Sequence, residues 1–205
     1  MTFGEYAQMA NGEGWMENGI KCNLKVIKML NFEHGKPYIL PVPPSPNLNT
    51  QQSILLYPSL CLFEGTVISQ GRGTLFPFTV LGNPELKVKY SFSFTPIPIN
   101  GMSENPPQMN QECYGIDLRT YNTDSFKKTG RINLNWLFEF YNAYPDKEKF
   151  FTKRANGQFG FDRLAGTSNL REQIIAGKTE REIRDSWELG LSEYKTIRKK
   201  YLLYK

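Results

Sequence analysis

The sequence is poor in the residues that build metal centres and disulfide frameworks. It holds one histidine, His34, and three cysteines, Cys22, Cys61 and Cys113. The cysteines stand far apart and lack the paired spacing of a zinc site, and one imidazole cannot complete a mixed Cys/His centre. No metal and no other cofactor is expected. An odd cysteine count points to buried free thiols rather than to disulfides. His34 is the sole candidate imidazole base, and its setting, Glu33-His34-Gly35-Lys36, reads as a solvated turn. Long apolar runs are missing as well. No stretch approaches the roughly 18 residues of a membrane span, so no membrane partner is expected. The N-terminus has no charged stretch followed by an apolar core, so no secretory signal is read there. The chain runs straight into Thr2-Phe3-Gly4-Glu5-Tyr6-Ala7, a capped helix with no lead-in, as though the sequence began within a longer protein. Internal repeats and low-complexity tracts are absent too.

What the sequence has in quantity is aromatic residues: 14 Phe, 11 Tyr and 3 Trp among 205 residues. Such rings fill cores, or they stack on flat ligands and sugar faces. A chain of this length buries enough surface to be stable without cross-links, and we read residues 1–205 as a single domain. The net charge of +5 is partly terminal, with Lys195, Arg198, Lys199, Lys200 and Lys205 close together. Cations suit the last turn of a helix, where they meet the negative end of its dipole. No basic stripe coincides with a nucleic-acid module, so no nucleic-acid partner is expected.

Hydrophobic periodicity sets the fold class. Residues 2–11 read as a helix capped by Thr2 with Glu5 three residues on, Phe3, Tyr6 and Ala7 sharing one face. Gly12 and Gly14 end it. Residues 23–30 alternate as a strand does. Pro41, Pro43, Pro44 and Pro46 impose a stiff extended segment. Residues 50–63 are helical in part, interrupted at Pro58. Residues 77–81, 88–99 and 113–121 read as strands, with a loop over 100–111. The last third is helical: Leu134, Leu137, Phe138 and Tyr141 recur at helical spacing, short helices follow over 161–164 and 170–176, and Thr179 with Glu182 forms a capping box before a long helix. Along that helix Ile183, Trp187, Leu191, Tyr194, Ile197 and Tyr201 share one face, which reads as core. Segregated strands and helices give an α+β fold, with a mixed or antiparallel sheet and a helical C-terminal third.

Four stretches carry candidate chemistry. Asn11-Gly12-Glu13-Gly14-Trp15 places an amide and a carboxylate at a helix end, as a polar ligand site or as a plain C-cap anchored by Trp15. In Pro43-Pro44-Ser45-Pro46-Asn47-Leu48-Asn49-Thr50 the prolines hold Ser45, Asn47 and Asn49 in place. Amides both donate and accept, which matches sugar hydroxyl and acetamido groups; the alternative is an N-capped helix beginning after Asn47 or Asn49. Tyr57-Pro58-Ser59-Leu60-Cys61-Leu62-Phe63-Glu64-Gly65-Thr66 sets Glu64 after an apolar run. There it is either a desolvated acid or a structural acceptor for Arg72. Finally, in Ser69-Gln70-Gly71-Arg72-Gly73-Thr74 two glycines let the backbone turn and present a guanidinium fork, which suits a carboxylate or a phosphate. The Gly-Lys-Ser/Thr ending of a phosphate-binding P-loop is missing.

Taken in order, PPSPNLNT, YPSLCLFEGT and SQGRGTLFPFTVLGNP resemble the C-terminal half of the exo-β-N-acetylmuramidase (NamZ) family. MTFGEYAQMANGEGW is similar to its opening helix. CYGIDL, FDRLAGTSNLREQIIAGKTEREIRDSW and RKKYLLY look like its later segments, so the resemblance covers nearly the whole chain. It implies a bacterial enzyme system that releases N-acetylmuramic acid from the non-reducing ends of peptidoglycan fragments. An N-terminal Rossmann-like domain of the same enzyme carries the principal catalytic glutamates. This chain then looks like the auxiliary, substrate-side half, and its partners are muramyl sugars or peptidoglycan fragments and that N-terminal catalytic domain. The location implied is extracytoplasmic, periplasmic or secreted.

On that reading Arg72 binds the lactyl carboxylate, Asn47 meets the acetamido group and Tyr57 packs on the ring. Ser69, Thr74, Asn11 and Glu13 belong to the same substrate-side motifs, and Glu64 is the candidate auxiliary catalytic carboxylate. Glycosidases generally need two carboxylates about 5 to 9.5 Å apart, and only Glu64 and Glu13 fall in family-like motifs. A non-catalytic muramyl-binding module and an interdomain structural domain are the alternatives. The sequence departs from the family pattern in carrying Asn49 where Pro is usual, Ser59 where Gly is usual and Val67 where Asn is usual.

Overall fold

The computed structural model describes residues 1–204; Lys205, the last of the clustered cations, lies outside the described residues. The fold is α+β, with eight α-helices and one three-stranded antiparallel sheet among the described residues. The chain divides into two compact units, Met1–Tyr38 with Arg181–Lys205, and Ile39–Glu180.

The first unit is built on α1 (Phe3–Gly12) and α8 (Glu180–Lys199). Thr2 caps α1 and Glu5 reaches back to the Thr2 N–H, the reciprocal box expected from the sequence. α1 does not bury the face that carries Phe3 and Tyr6. Glu5 and Met9 point inward, whereas Phe3 is 94% exposed and Tyr6 is also exposed. Residues 23–30 pair with no strand and run as irregular chain, because alternation forms a strand only where a neighbour accepts its backbone bonds. The chain ends are tied by side chains. Asn11 clasps the Cys22 backbone at both ends of its amide, accepting from the N–H at 2.8 Å and donating to the carbonyl at 3.0 Å. Tyr204 packs edge-on against Phe32 and accepts from the Met29 N–H. The α8 stripe is only partly core: Ile183 is fully buried, while Leu191 is exposed.

The second unit holds most of the buried residues. Thr50 caps α2 (Gln51–Leu60), pairing reciprocally with Ser53. Pro58 falls in the last turn of α2, and the chain tightens into a 3-10 turn at Cys61–Gly65. The sheet has β1 (Val80–Asn83) and β2 (Phe92–Phe94) flanking β3 (Cys113–Asp117), with Gly82 and Phe92 both opposite Gly115. The strands are shorter than the apolar runs that announced them. A Cβ on Gly115 would run into the Leu81 carbonyl, so β3 needs glycine there to lie this close to β1. Five short helices follow: α3 (Asp124–Thr129), α4 (Asn135–Ala143), α5 (Lys147–Phe150), α6 (Gly160–Ala165) and α7 (Asn169–Ile175). In α4 it is Trp136, Leu137 and Phe140 that are buried, with Leu134 just ahead of them; Phe138 and Tyr141 are partly open.

The aromatic residues are mostly used as core. Phe63 meets Phe140 edge-on at 5.7 Å, Tyr90 stacks on Phe140, and Phe150, Phe151 and Phe161 continue the chain of ring contacts. Asp162 and Arg171 join α6 to α7 through two bonds of 2.8 Å, with the guanidinium 3.9 Å from the Phe159 ring centre. Much of the FDRLAGTSNLRE motif is therefore an internal clamp.

Candidate functional site

The stretch from Tyr57 to Gly82 is almost continuously buried or half-buried. Its polar groups are mostly committed to shaping the backbone. Ser69 is fully buried, and its Oγ accepts from the Gly71 N–H. Its backbone exchanges both hydrogen bonds with Gly82. Thr74 donates to the Gly71 carbonyl and accepts from the Phe76 N–H. These two hydroxyls close the turn that carries Arg72.

That turn depends on its glycines. Gly71 and Gly73 have φ of 76° and 80°, a region L side chains rarely adopt. A Cβ on Gly71 would lie 2.6 Å from Val80 Cγ2, and one on Gly73 would lie 2.5 Å from Pro106 Cγ. The result is a guanidinium held on a rigid loop. Arg72 Nη2 donates to Glu64 Oε2 at 2.8 Å, and the Arg72 Cζ stands 5.0 Å from the Phe78 ring centre. Glu64 is set by the Cys61–Gly65 turn. Gly65 lets the α6 backbone at Phe161 approach closer than a Cβ would permit. Of the two roles open to Glu64 in the sequence, the geometry displays the acceptor of the Arg72 ion pair. Both side chains remain about a quarter exposed, at 28% and 26%.

Tyr57, in the last full turn of α2, meets Phe78 edge-on at 5.0 Å. Burial raises its phenol above the ordinary value, with the Glu64 charge adding to the rise. Burial, then Glu64, does the same to the Cys61 thiol. Tyr57, Glu64, Arg72 and Phe78 thus form one electrostatic and aromatic cluster. Phe78 is the member that sequence reasoning missed. It is fully buried and has φ of 54°, an outlier for a bulky side chain. Its N–H donates to the Gln70 carbonyl at 2.7 Å, which holds the strained position. Only the Pro77-Phe78 step after an apolar residue hinted at a forced turn.

Asn47 lies apart from this cluster in its hydrogen bonding. It is 7% exposed, its Nδ2 donates to the Met102 carbonyl at 2.7 Å, and its buried Oδ1 has no partner. Asn49, in place of the family's usual Pro, spans to the Leu75 carbonyl through Nδ2 at 3.1 Å. Buried Oδ1 of Asn49 and Oε1 of Gln70 also lack partners. Ser59, in place of Gly, accepts from the Asn133 N–H at 2.8 Å. Val67, in place of Asn, keeps only backbone duties, its carbonyl accepting from Asn83 and Gln108.

The remaining two predicted residues belong to the first unit. Asn11 holds Cys22, as above. Glu13 accepts from the Tyr201 hydroxyl at 2.8 Å and from Lys200 at 3.2 Å, and these bonds lower its pKa. An open cleft of ≈ 310 Å³ lies beside Asn11, Gly12 and Tyr201. His34, expected in a solvated turn, donates from Nε2 to the buried Glu5 carboxylate at 2.9 Å. No group of three or more His, Cys, Asp or Glu side chains able to hold a metal occurs among the described residues. No described helix is long and apolar enough to cross a membrane.

Chemically, the Tyr57–Glu64–Arg72–Phe78 cluster suits recognition of an anion beside a flat or ring-shaped group. A guanidinium carries five donors, so one bond to Glu64 leaves capacity for a second carboxylate.

Comparison with known proteins agrees with the sequence motifs. Residues 55–204 match the family model for the exo-beta-N-acetylmuramidase NamZ, C-terminal part, and residues 1–52 match that for its N-terminal part. The likeness read from the motifs as C-terminal therefore crosses a junction between two family parts. The peptidoglycan beta-N-acetylmuramidase NamZ of Bacillus subtilis (strain 168) is 32% identical over 222 residues, which cover all of this chain and 50% of that protein. The crystal structure of a DUF1343 family protein from Bacteroides fragilis NCTC 9343 superposes with a TM-score of 0.89 at 42% identity, over 100% of this chain and 56% of that one. A second B. fragilis protein of that description, at 21% identity and a TM-score of 0.72, shares the fold over 98% of this chain and 56% of its own. The chain spans about half the length of the relatives it matches, and it belongs to the exo-beta-N-acetylmuramidase NamZ family.

Proposed function

We propose that this chain supplies the substrate-side part of a peptidoglycan β-N-acetylmuramidase and needs further family sequence, of N-terminal type, for hydrolysis. The observation that carries the reading is Arg72, held between two left-handed glycines over Phe78 and only partly satisfied by Glu64. N-acetylmuramic acid differs from other cell-wall sugars in bearing a lactyl carboxylate, the group a fixed guanidinium fork selects. Tyr57 provides the apolar wall, with fully buried Phe78 behind it, and Asn47, the residue assigned to the acetamido group, keeps an unpartnered Oδ1.

The dependence on further sequence follows from the carboxylate count. Hydrolysis of a glycoside calls for two carboxylates at roughly 5 to 9.5 Å. The Arg72 cluster contains one, Glu64, and it is already ion-paired. The same fact supports a second reading, in which the chain binds muramyl sugars without cleaving them.

Calorimetry with N-acetylmuramic acid and with N-acetylglucosamine, which lacks the lactyl group, tests the assignment. The wild-type chain is expected to prefer the former, and Arg72→Ala to lose that preference by tenfold or more. Equal binding by Arg72→Ala would sink the role given to Arg72. Turnover of a chromogenic N-acetylmuramide by this chain alone, at a rate matching a full-length relative, would sink the dependence.

A further inference from the structure

Helix α2, Gln51–Leu60, carries no charged residue. Its inner side is made by Ser53, Leu56, Ser59 and Leu60, all buried. Ile54, Leu55 and Pro58 share another side at helical spacing, and they are half-buried or exposed. A surface helix normally sets polar side chains on the face turned away from its core. On α2 that face is apolar.

A second wall stands beside it. Helix α3 ends at Gly130, whose left-handed backbone, at φ of 59°, turns the chain back. Ile132 follows, and the next N–H, that of Asn133, donates to the Ser59 hydroxyl at 2.8 Å. Phe126 is held by the rings of Tyr121 and Trp136, each at 6.0 Å between centroids. Between the walls runs a groove of ≈ 260 Å³, with Ile54, Leu55 and Pro58 on one side and Phe126 and Ile132 on the other. Gln52 anchors α2 in turn, its Nε2 donating to the Leu118 and Tyr121 carbonyls at 2.8 Å. Both walls are thus fixed in the free chain, which lowers the ordering cost of binding.

The charge about the groove has one sign. Arg131 is the one charged side chain among the described residues that line it. Its guanidinium has no hydrogen-bond or ion-pair partner among the described residues. The sequence 123–133 sets Lys127, Lys128 and Arg131 against a single acid, Asp124, which does not line the groove. An apolar trough with an unpaired guanidinium at its edge complements an apolar body that ends in a carboxylate, and it disfavours a cationic one. The volume falls just below the range of roughly 300 to 1,000 Å³ that takes drug-sized ligands, which suits a short acyl chain or a single ring.

We propose that the groove between α2 and residues 126–132 binds a small anionic amphiphile, its acyl chain against Ile54, Leu55 and Phe126 and its carboxylate on Arg131. The site shares no residue with the Tyr57–Glu64–Arg72–Phe78 cluster and does not depend on the function proposed for that cluster.

Isoleucine methyl NMR tests it, with octanoate titrated below its micelle-forming concentration at constant ionic strength. Ile54 and Ile132 report the groove. Ile97, whose N–H donates to the Gly73 carbonyl, reports the Arg72 loop. The expected result is saturable shifts at Ile54 and Ile132 with a dissociation constant on the order of 10 mM or below, as befits so small a ligand. Octyltrimethylammonium, the same chain with the opposite charge, should bind at least about fivefold more weakly. Arg131→Gln should weaken octanoate about threefold or more, the scale of an exposed ion pair. Its thermal unfolding should match wild type, since the guanidinium has no partner to lose, and Arg72→Ala should leave the octanoate shifts at Ile54 unchanged. Shifts that do not saturate overturn the proposal. Shifts at Ile97 alone overturn it as well, by placing the carboxylate on the Arg72 loop. So does equal binding of the two amphiphiles, or unchanged affinity in Arg131→Gln, since the trough then takes apolar surface without regard to charge. Signals of Ile54 and Ile132 that move with protein concentration in the absence of octanoate assign the face to a second copy of the chain, which also overturns it.

Discussion

Glu5 is a fully buried carboxylate in a unit with little else buried, and its removal has a calculable effect. Its Oε2 accepts from the Thr2 N–H at 2.7 Å, and its Oε1 accepts from the Leu203 N–H at 2.8 Å and meets His34 at 2.9 Å. Burial alone pushes such an acid up, but the bonds from Thr2, Leu203 and His34 outweigh it and hold the pKa at about 2. The gap from an ordinary carboxylate corresponds to about 3 kcal/mol. Solvent reaches the site from the His34 side, 29% exposed, so screening trims this to about 2 kcal/mol. The folded-state pKa is depressed, so this stability is present above the unfolded value of about 4.5 and is lost as pH falls through that value towards about 2. In Glu5→Gln the amide oxygen keeps one cluster of donors and its NH₂ faces the other, so the α1 cap or the Leu203 tie is broken. Hydrogen exchange followed by mass spectrometry, corrected for intrinsic rates, reads opening in the peptide covering α1. At neutral pH the substitution is expected to raise the opening constant of α1 about 30-fold, the equivalent of about 2 kcal/mol. Wild type should converge on the variant as pH is lowered towards about 3. If both proteins show the same pH dependence of α1 protection, the ties described here do not stabilise the unit and the reasoning fails.

Other outcomes follow from individual positions. Gly73→Ala is expected to cost about 2 kcal/mol or more in urea unfolding, because left-handed backbone and the contact with Pro106 add; Gly130→Ala, at φ of 59° in open space, should cost about 1 kcal/mol. Phe63→Ala should lose about 3 to 5 kcal/mol, whereas Phe3→Ala should change the stability of this chain by no more than about 0.5 kcal/mol. Arg72→Lys should leave thermal unfolding almost unchanged, since a quarter-exposed ion pair is worth about 0 to 1 kcal/mol, yet weaken N-acetylmuramic acid binding in calorimetry. Titration with a thiol reagent should modify exposed Cys22 at once and Cys113 only on unfolding, because burial raises the Cys113 thiol to about 12.

What was legible in the sequence was what is decided locally. The Thr2–Glu5 box depends on a few neighbouring residues and stands where the pattern puts it, and the helix read from residue 50 starts at Gln51 with Thr50 as its cap. What failed was decided by partners. Residues 23–30 alternate, but no described strand pairs with them, so they do not form one. The apolar residues Phe3 and Tyr6 share a face of α1, yet the structure buries Glu5 and Met9, with three bonds to Glu5 holding that side inward.

The candidate site divides along the same line. Arg72 was legible because Gly-Arg-Gly dictates a backbone that only glycine adopts, and both glycines take that backbone. Ser69 and Thr74 share the motif, yet their hydroxyls are spent within it, so a motif residue is not thereby a ligand residue. Phe78 could not be read, because a bulky residue at positive φ is tolerated only where the surroundings over-determine it. Here those surroundings are the Gln70 carbonyl, the Tyr57 ring and the Arg72 guanidinium. This gives the strain a use. A ring forced under the guanidinium limits where Arg72 can swing, so that a carboxylate arriving beside Glu64 meets a fixed fork rather than a flexible one. If so, Phe78→Gly, which relieves the backbone while deleting the floor, should weaken carboxylate recognition even with the Glu64 pair intact. Phe78→Tyr, which keeps the floor, should preserve recognition. Equal binding by both variants in the N-acetylmuramic acid calorimetry would show that the ring is packing only.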